Sequence, residues 1–442
     1  MRLMYAAMLS LLAVGCGGSQ SNMMMASPPI PDAANALPAS DPRAAGQALF
    51  YADTFGTEAL DTWPPPEFLV ALQTSEPEVF GNQFASFGFI SDPTDDLPIG
   101  LKRGSTDRTK VHQTCNMCHV GRLPDGRVWI GAPNIDLDVG RFRAEVNARW
   151  VSAGHTPLIG ALEEAKVRQL GPGRTNAGSS DYPTAVPADF PNYFTLGRRT
   201  HLNYIGTGGN VRTEVSFSIY SAGAGSPNPE TAKVQFPPDS ELQTFLDFFA
   251  TIEPPTAPAG DVTLIARGQT VFQNARCGSC HHVGDLASDG VTPVNKALEE
   301  KIPGDDPMWP KGAIATDLAH RALIDSMGPP ADAPSGADAG TDSGYLDLLR
   351  FAADHNLSIY FTDGYRVNDL RALWATPPYL HNGSVPTLED LLRPPADRPK
   401  QWMRGSFLVD TTVPGNTNQG HTFGTDLSDD DKTALVAYLK SL

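Results

Sequence analysis

Apolar positions in this 442-residue chain gather in a few short stretches, separated by long polar segments rich in Pro and Gly. The first stretch, MRLMYAAMLSLLAVG, has one basic residue, then an apolar run ending in small residues. It predicts a cleaved secretory signal over 1–15, and it is too short to span a membrane. Residues 17–42 are small, polar and Pro-rich and predict a flexible tether. Further on, Asp239-Ser240-Glu241 opens a predicted helix, LQTFLDFFATI. A Pro-rich linker follows at 253–260, after which Asp261 caps a predicted helix through DVTLIARGQTVFQ. The last helix starts at Ser428-Asp429-Asp430-Asp431 like a capping box and puts Leu435, Val436, Leu439 and Leu442 on one face. Residues 328–344 are low-complexity and acidic. They predict a mobile surface insertion, with a calcium loop as the weaker alternative. No later apolar run is long enough to cross a bilayer.

Composition sharpens this picture in three ways. Gly (41) and Pro (39) make up about 18% of the chain, above the usual share of about 12%. The chain is therefore loop-rich, and long helical bundles and coiled coils are excluded, although 40% hydrophobic residues suffice for buried cores. The net charge of −17 excludes nucleic acid as a partner, because phosphate neutralisation needs a basic face. It favours a redox or other protein partner with a basic docking surface. Five cysteines are too few for a disulfide scaffold.

Their placement carries the chemistry. Ala13-Val14-Gly15-Cys16 resembles a bacterial lipobox, so Cys16 is expected to carry a lipid and anchor an exported, cell-envelope protein to a membrane. An ordinary signal peptide is the alternative. The other four form Cys115-Asn116-Met117-Cys118-His119 and Cys277-Gly278-Ser279-Cys280-His281. Two thiols three positions apart on one helical turn can form thioethers with the vinyl groups of one haem, and the next residue, His, then lies under the iron. Zinc is disfavoured by the distance between the pairs and the His that ends each. A redox dithiol is disfavoured by the lack of a βαβ context. Export is consistent with two covalent haem c groups, with His119 and His281 as axial ligands. A Pro carbonyl commonly orients such a His. Gly131-Ala132-Pro133-Asn134 and Thr292-Pro293-Val294-Asn295 are the candidates, with ordinary turns as the alternative.

The sixth position on each iron separates a carrier from an enzyme, since a five-coordinate iron can bind O2 or peroxide. Between Met117 and the linker there is no Met, so the first haem has no Met partner in its own half. Either His155 or His201 closes it, or its distal side is open. For the second haem the candidates are His421, His381, Met327 and Met308, with His320 and His355 weaker.

The stretch from Leu373 to Leu388, with Pro378-Tyr379-Leu380-His381-Asn382-Gly383-Ser384, resembles the PYxHxGSxxTL motif of bacterial di-haem cytochrome c peroxidases and their methylamine-utilisation relatives. Arg398-Pro399, Gly420-His421-Thr422-Phe423-Gly424-Thr425 and the early Asp53-Thr54-Phe55-Gly56 look closer to the rubber-oxygenase-like branch. The resemblance implies a mainly α fold with two cytochrome-c-like haem domains, at 43–252 and 261–442, joined by long irregular loops. The peroxidase Met ligand, fourteen residues after the motif His, is replaced here by Pro395. In the rubber-oxygenase-like branch a late His ligates the second haem. His421 matches it and ranks first, with Met327 second. His381 is then expected to contact a haem propionate, and Trp374 to pack near a haem edge or in the core. A distal acid/base Glu near the first haem is matched by Glu214, with a solvated strand Glu as the alternative. The resemblance implies electron transfer between the haems and a peroxidase-like reaction with peroxide or O2. The rivals are a pure electron-transfer lipoprotein and O2-dependent cleavage of a polymer or lipid.

Overall fold

The structure, a computed structural model, describes residues 33–52, 63–104, 107–176, 185–194, 196, 212, 215, 239–279, 281, 370–413 and 415–442. Cys16, Glu214, Cys280, Met308, Met327, His201, the 292–295 loop, the 53–56 segment and the 328–344 insertion lie outside the described residues.

The first half holds α1 (Ala44–Ala52), α2 (Pro66–Ser75), α3 (Pro77–Phe80), α4 (Asn116–His119), α5 (Val139–Ser152), α6 (Ala161–Val167) and α7 (Asp239–Phe249). Three two-stranded antiparallel pairs lie among them: β1 (Leu101–Arg103) with β2 (Val111–Gln113), β3 (Val120–Arg122) with β4 (Val128–Ile130), and β5 (Arg174–Asn176) with β6 (Pro187–Asp189). The second half holds α8 (Val262–Asn274), α9 (Leu388–Leu391), the hairpin β7 (Gln401–Arg404) and β8 (Phe407–Asp410), and α10 (Asp429–Lys440). The described residues are helix-rich with small two-stranded sheets, and the helices are short and joined by loops, as the Gly and Pro content leads one to expect.

The predicted caps are in place. The Asp261 side chain accepts from the N–H groups of Thr263 and Leu264, and the Ser428 hydroxyl accepts from the N–H of Asp431.

Each half is closed by the same helix crossing. α1 meets α7 at Gly46, where an added Cβ would collide with the Thr244 carbonyl oxygen and lie 2.6 Å from the Phe248 Cβ. α8 meets α10 at Gly268, where a Cβ would collide with the Ala434 carbonyl oxygen and lie 2.7 Å from the Tyr438 Cβ. Four residues after each glycine an aromatic ring faces the second of these partners. Phe50 and Phe248 are 5.5 Å apart between ring centroids, as are Phe272 and Tyr438. Both glycines open the sequence Gly-Gln-x-Leu/Val-Phe, at Gly46-Gln47-Ala48-Leu49-Phe50 and Gly268-Gln269-Thr270-Val271-Phe272. Absence of a side chain lets the helix backbones touch, and the ridge of aromatics then fills the groove on either side.

Two boundaries differ from the sequence expectation. The tether does not run free to residue 42. Ala34 donates to the Val128 carbonyl at 3.0 Å, and the Asn35 side chain both accepts from the Ile130 N–H (2.8 Å) and donates to its carbonyl (3.0 Å). One amide thus satisfies the exposed edge of β4, which otherwise presents unpaired backbone groups. The second half also reaches into the first. Ala372, Trp374 and Ala375 are buried with Phe50, Tyr51, Val120 and Phe194 in one core cluster.

Candidate functional site

The first CxxCH ends in the short turn α4, which carries Cys118 and His119 just after Cys115. Met117 points the other way, into the core with Phe84 and Leu101, and so is no ligand. Nδ1 of His119 lies 3.0 Å from the carbonyl oxygen of Pro191. A carbonyl only accepts, so Nδ1 carries the proton and Nε2 is left as the base that can bind a metal. Burial pushes the His119 pKa down to about 3, which keeps the ring neutral, the ligating form. Burial pushes the Cys118 thiol up to about 12, with Cys115 adding to it. Tyr193 stacks on the imidazole with 3.6 Å between ring centres and a 16° tilt.

The orienting carbonyl is not the candidate Pro133, whose loop is the alternative ordinary turn and whose carbonyl packs against Gly121 in β3. Pro191 takes the role because the β5–β6 pair returns the chain to His119 across 72 positions of sequence. His155 is corrected as well. It is exposed and stacked on Trp150 at 3.7 Å, and so is not an iron ligand.

At the second CxxCH, the His281 N–H donates to the Cys277 carbonyl at 2.9 Å, continuing the turn Cys277–Ser279 that starts the motif. His281 faces His421, with ring centroids 6.3 Å apart and planes at 47°. A metal–imidazole bond of about 2 Å, plus roughly 1.1 Å from nitrogen to ring centre, puts two imidazoles on one metal about 6.2 Å apart. The separation matches the one that two imidazoles on a single metal would have. His421 sits in the left-handed region at φ 56°, which L residues seldom occupy. The loop is held there by Arg398, whose guanidinium donates to the carbonyls of Arg393, Leu391, Asn418, Gly420 and His421. Burial pushes the His421 pKa down to about 4, and the nearby His281 and Arg398 push the same way.

His381 is buried (4% exposed) and its carbonyl accepts from Asp189 at 2.8 Å, so the motif of the second half packs on the strand leading to Pro191. Trp374 is buried in the first half's core cluster, with no partner for Nε1 among the described residues. No group of three or more His, Cys, Asp or Glu shaped for a bare metal ion occurs among the described residues. Arg174, Asp189 and Arg404 were not singled out as site residues from sequence, because each is a lone charged residue whose bonded partner lies more than 200 positions away in the chain.

One comparison with known proteins, a family match, agrees with a haem reading. The profile of a family described as RoxA-like, cytochrome c-like matches residues 364–403, the segment that holds His381 and Arg398. The chain is 41% identical to the uncharacterized protein y4iJ of Sinorhizobium fredii (strain NBRC 101917 / NGR234), over 18% of this chain and 18% of that one. It is 28% identical to the uncharacterized protein y4iM of the same strain, over 37% of this chain and 36% of that one. The matches thus cover well under half of either relative. Among solved structures, Kuenenia stuttgartiensis hydrazine synthase is similar with a TM-score of 0.30 and 14% identity, over 63% of this chain and 78% of that one. The match over 364–403 identifies part of a cytochrome c-like domain, and covalently bound haem c is the cofactor that such a domain implies.

Proposed function

We propose that the chain is an exported di-haem c-type cytochrome acting as a peroxidase-like oxidoreductase. One haem is held by Cys115, Cys118 and His119, the other by Cys277, Cys280 and His281. The observation that carries the reading is the spacing of His281 and His421, 6.3 Å between ring centres. The repeated crossing at Gly46 and Gly268 supports one cytochrome-c-like unit in each half. Haem at these two places supplies one-electron transfer and, where an iron keeps an open face, a place for peroxide or O2.

The residues divide the work. His281 and His421 would hold the iron of the second haem from both sides, an arrangement that would suit it to electron transfer. The Pro191 carbonyl fixes the His119 ring and its tautomer, and His155 lies away from it at the surface. The first centre would then be the one to take peroxide or O2, with Glu214 as its acid/base, unless His201 binds its iron. Export and a lipid at Cys16 fit the motif, since c-type haem is attached outside the cytoplasm. The acidic surface suits a basic redox partner.

Two measurements on the purified oxidised protein test this. A pyridine haemochrome assay is expected to give two haems per chain. Electron paramagnetic resonance is expected to show one low-spin bis-imidazole centre and one high-spin centre that binds cyanide. Two low-spin centres with no cyanide binding would turn the protein into an electron relay, the reading that two closed centres favour. Fewer than two haems would sink the di-haem assignment.

A further inference from the structure

We infer that Arg174 and Arg404 form a buried carboxylate receptor at the junction of the two halves, which takes a propionate of the haem held at His119. The inference rests on the haem reading above and adds the residues that hold the acidic edge of that haem.

Arg174, on β5, has no exposed surface, and Arg404, on β7, is 6% exposed. Each guanidinium uses only its Nη1. Arg174 donates from it to Asn416 Oδ1 at 2.9 Å and, more weakly, to the Asn382 carbonyl at 3.4 Å. Arg404 donates from it to Asp189 Oδ1 at 2.7 Å. On both residues Nε and Nη2 are buried with no hydrogen-bond partner among the described residues. Those two nitrogens make the side edge of a guanidinium, the edge that grips a carboxylate with two parallel bonds. Two such edges thus lie in the interior, and no described residue supplies a carboxylate to either.

Charge points the same way. Asp189 is the one acid bonded to this pair. The next, Asp138, caps α5, lies 3.6 Å from Arg141, and attracts both guanidiniums without bonding to either. Two buried guanidiniums with one bonded carboxylate between them are a costly arrangement that a further anion would relieve. The strain is visible in Arg174, whose pKa burial pushes down to about 10, with repulsion from Arg404 adding to it. Space is kept for the pair, too. A Cβ on Gly173 would collide with Nη2 of Arg404, so glycine is what lets that guanidinium reach in.

Position selects the haem. Arg174 stands opposite Asp189 in the β5–β6 register, and two residues beyond Asp189 the Pro191 carbonyl orients His119. The receptor is therefore on the strand that fixes the proximal ligand of the first haem. From the other half, the His381 carbonyl accepts from Asp189, and Gly383 packs on the Asp189 carboxylate. A propionate is the carboxylate that a covalently held haem brings to such a place. A free carboxylate from solution has the same chemistry, and the test separates the two.

The test uses the full-length holoprotein, once haemochrome assay has shown two haems per chain; fewer would sink the underlying haem reading, independently of the receptor. Redox titration followed by electron paramagnetic resonance reads each haem's midpoint potential. Arg404→Gln is expected to lower the potential of the His119 haem alone, because a positive charge near it disfavours the oxidised form. Arg404→Lys is expected to restore most of the potential while changing the propionate bending band in the resonance Raman spectrum. That variant keeps the charge and loses the two-pronged edge, so it serves also if Arg404→Gln does not fold. The wild-type potentials are expected to ignore added acetate. Unchanged potential and unchanged Raman band in folded variants would overturn the receptor. So would a shift confined to the His281 haem, or a saturable response of the wild-type protein to acetate.

Discussion

The guanidinium of Arg398 donates through Nη2 to the carbonyls of His421 (2.8 Å) and Leu391 and through Nε and Nη1 to three more, but to no carboxylate among the described residues. Arg398 is 2% exposed, and burial alone pushes its pKa down to about 10. An arginine in this setting shapes a loop rather than pairing a charge. Arg398→Gln leaves several buried carbonyls without donors, which costs about 2–4 kcal/mol. The folded protein is expected to lose part of the low-spin bis-imidazole signal, because His421 no longer has its backbone fixed. Urea melts and paramagnetic resonance on the same sample check both effects. Loss of stability with an intact low-spin signal would show that Arg398 holds the fold and not the ligand.

His421 itself is open to a cleaner test. His421→Gly removes the imidazole and relieves the left-handed backbone at φ 56°, a strain of order 1 kcal/mol. The variant is expected to fold at least as well as His421→Ala and to convert the second centre to high spin. Added imidazole should then restore the low-spin spectrum, since the missing group is supplied from solution. If the spectrum of His421→Gly stays low-spin, another residue holds the sixth position.

The local chemistry was legible and the long-range chemistry was not. Each CxxCH lies within five residues, and the caps Asp261 and Ser428 act within three, so sequence spacing gives their geometry directly. The shared Gly-Gln-x-Leu/Val-Phe in α1 and α8 was present but too short to be noticed without the crossings that it builds. Pro133 was a reasonable acceptor for His119, since it lies nearby in sequence. Pro191 prevails because an antiparallel pair, unpredicted from its residues, returns the chain. Arg174 and Arg404, 230 positions apart, carry no spacing signal at all. Asn35 hides in what composition marks as tether, because a single amide pairing a strand edge leaves no periodicity.

The helix crossing gives a stability prediction. In Gly268→Ala the new Cβ meets the Ala434 backbone carbonyl, which cannot turn aside as a flexible side chain could. The expected loss is about 2–3 kcal/mol, in the range of overpacked cores. Gly126→Ala is the control. It lies at φ 90° with nothing near its Cβ, so it reports backbone strain alone, about 1 kcal/mol. Thermal melts of the two variants should separate, and equal losses would remove the crossing as the cause.

Acid stability turns on Asp92, which has no exposed surface. Its Oδ2 accepts from the Tyr51 hydroxyl at 2.9 Å and from Lys102 at 2.6 Å, and its Oδ1 accepts from the Thr94 N–H and hydroxyl. Burial is the largest single influence on this carboxyl and by itself raises the pKa. The Lys102 ammonium and the Thr94 donors together outweigh it and hold the pKa below the ordinary carboxylate value. A carboxyl whose pKa is lower in the folded state stabilises the fold above its unfolded pKa, about 3.9, and loses that contribution as pH falls toward the folded value. The wild-type protein is therefore expected to weaken below about pH 4. Asp92→Asn removes a charge that Lys102 needs, although Asp95 lies 3.5 Å from the same ammonium and takes up part of the role. The expected cost at neutral pH is about 2–4 kcal/mol, with a flatter loss of stability in acid. Denaturant melts between pH 3 and pH 7, run on both proteins, check the two slopes. Parallel slopes would show that other carboxyls, and not Asp92, govern unfolding in acid.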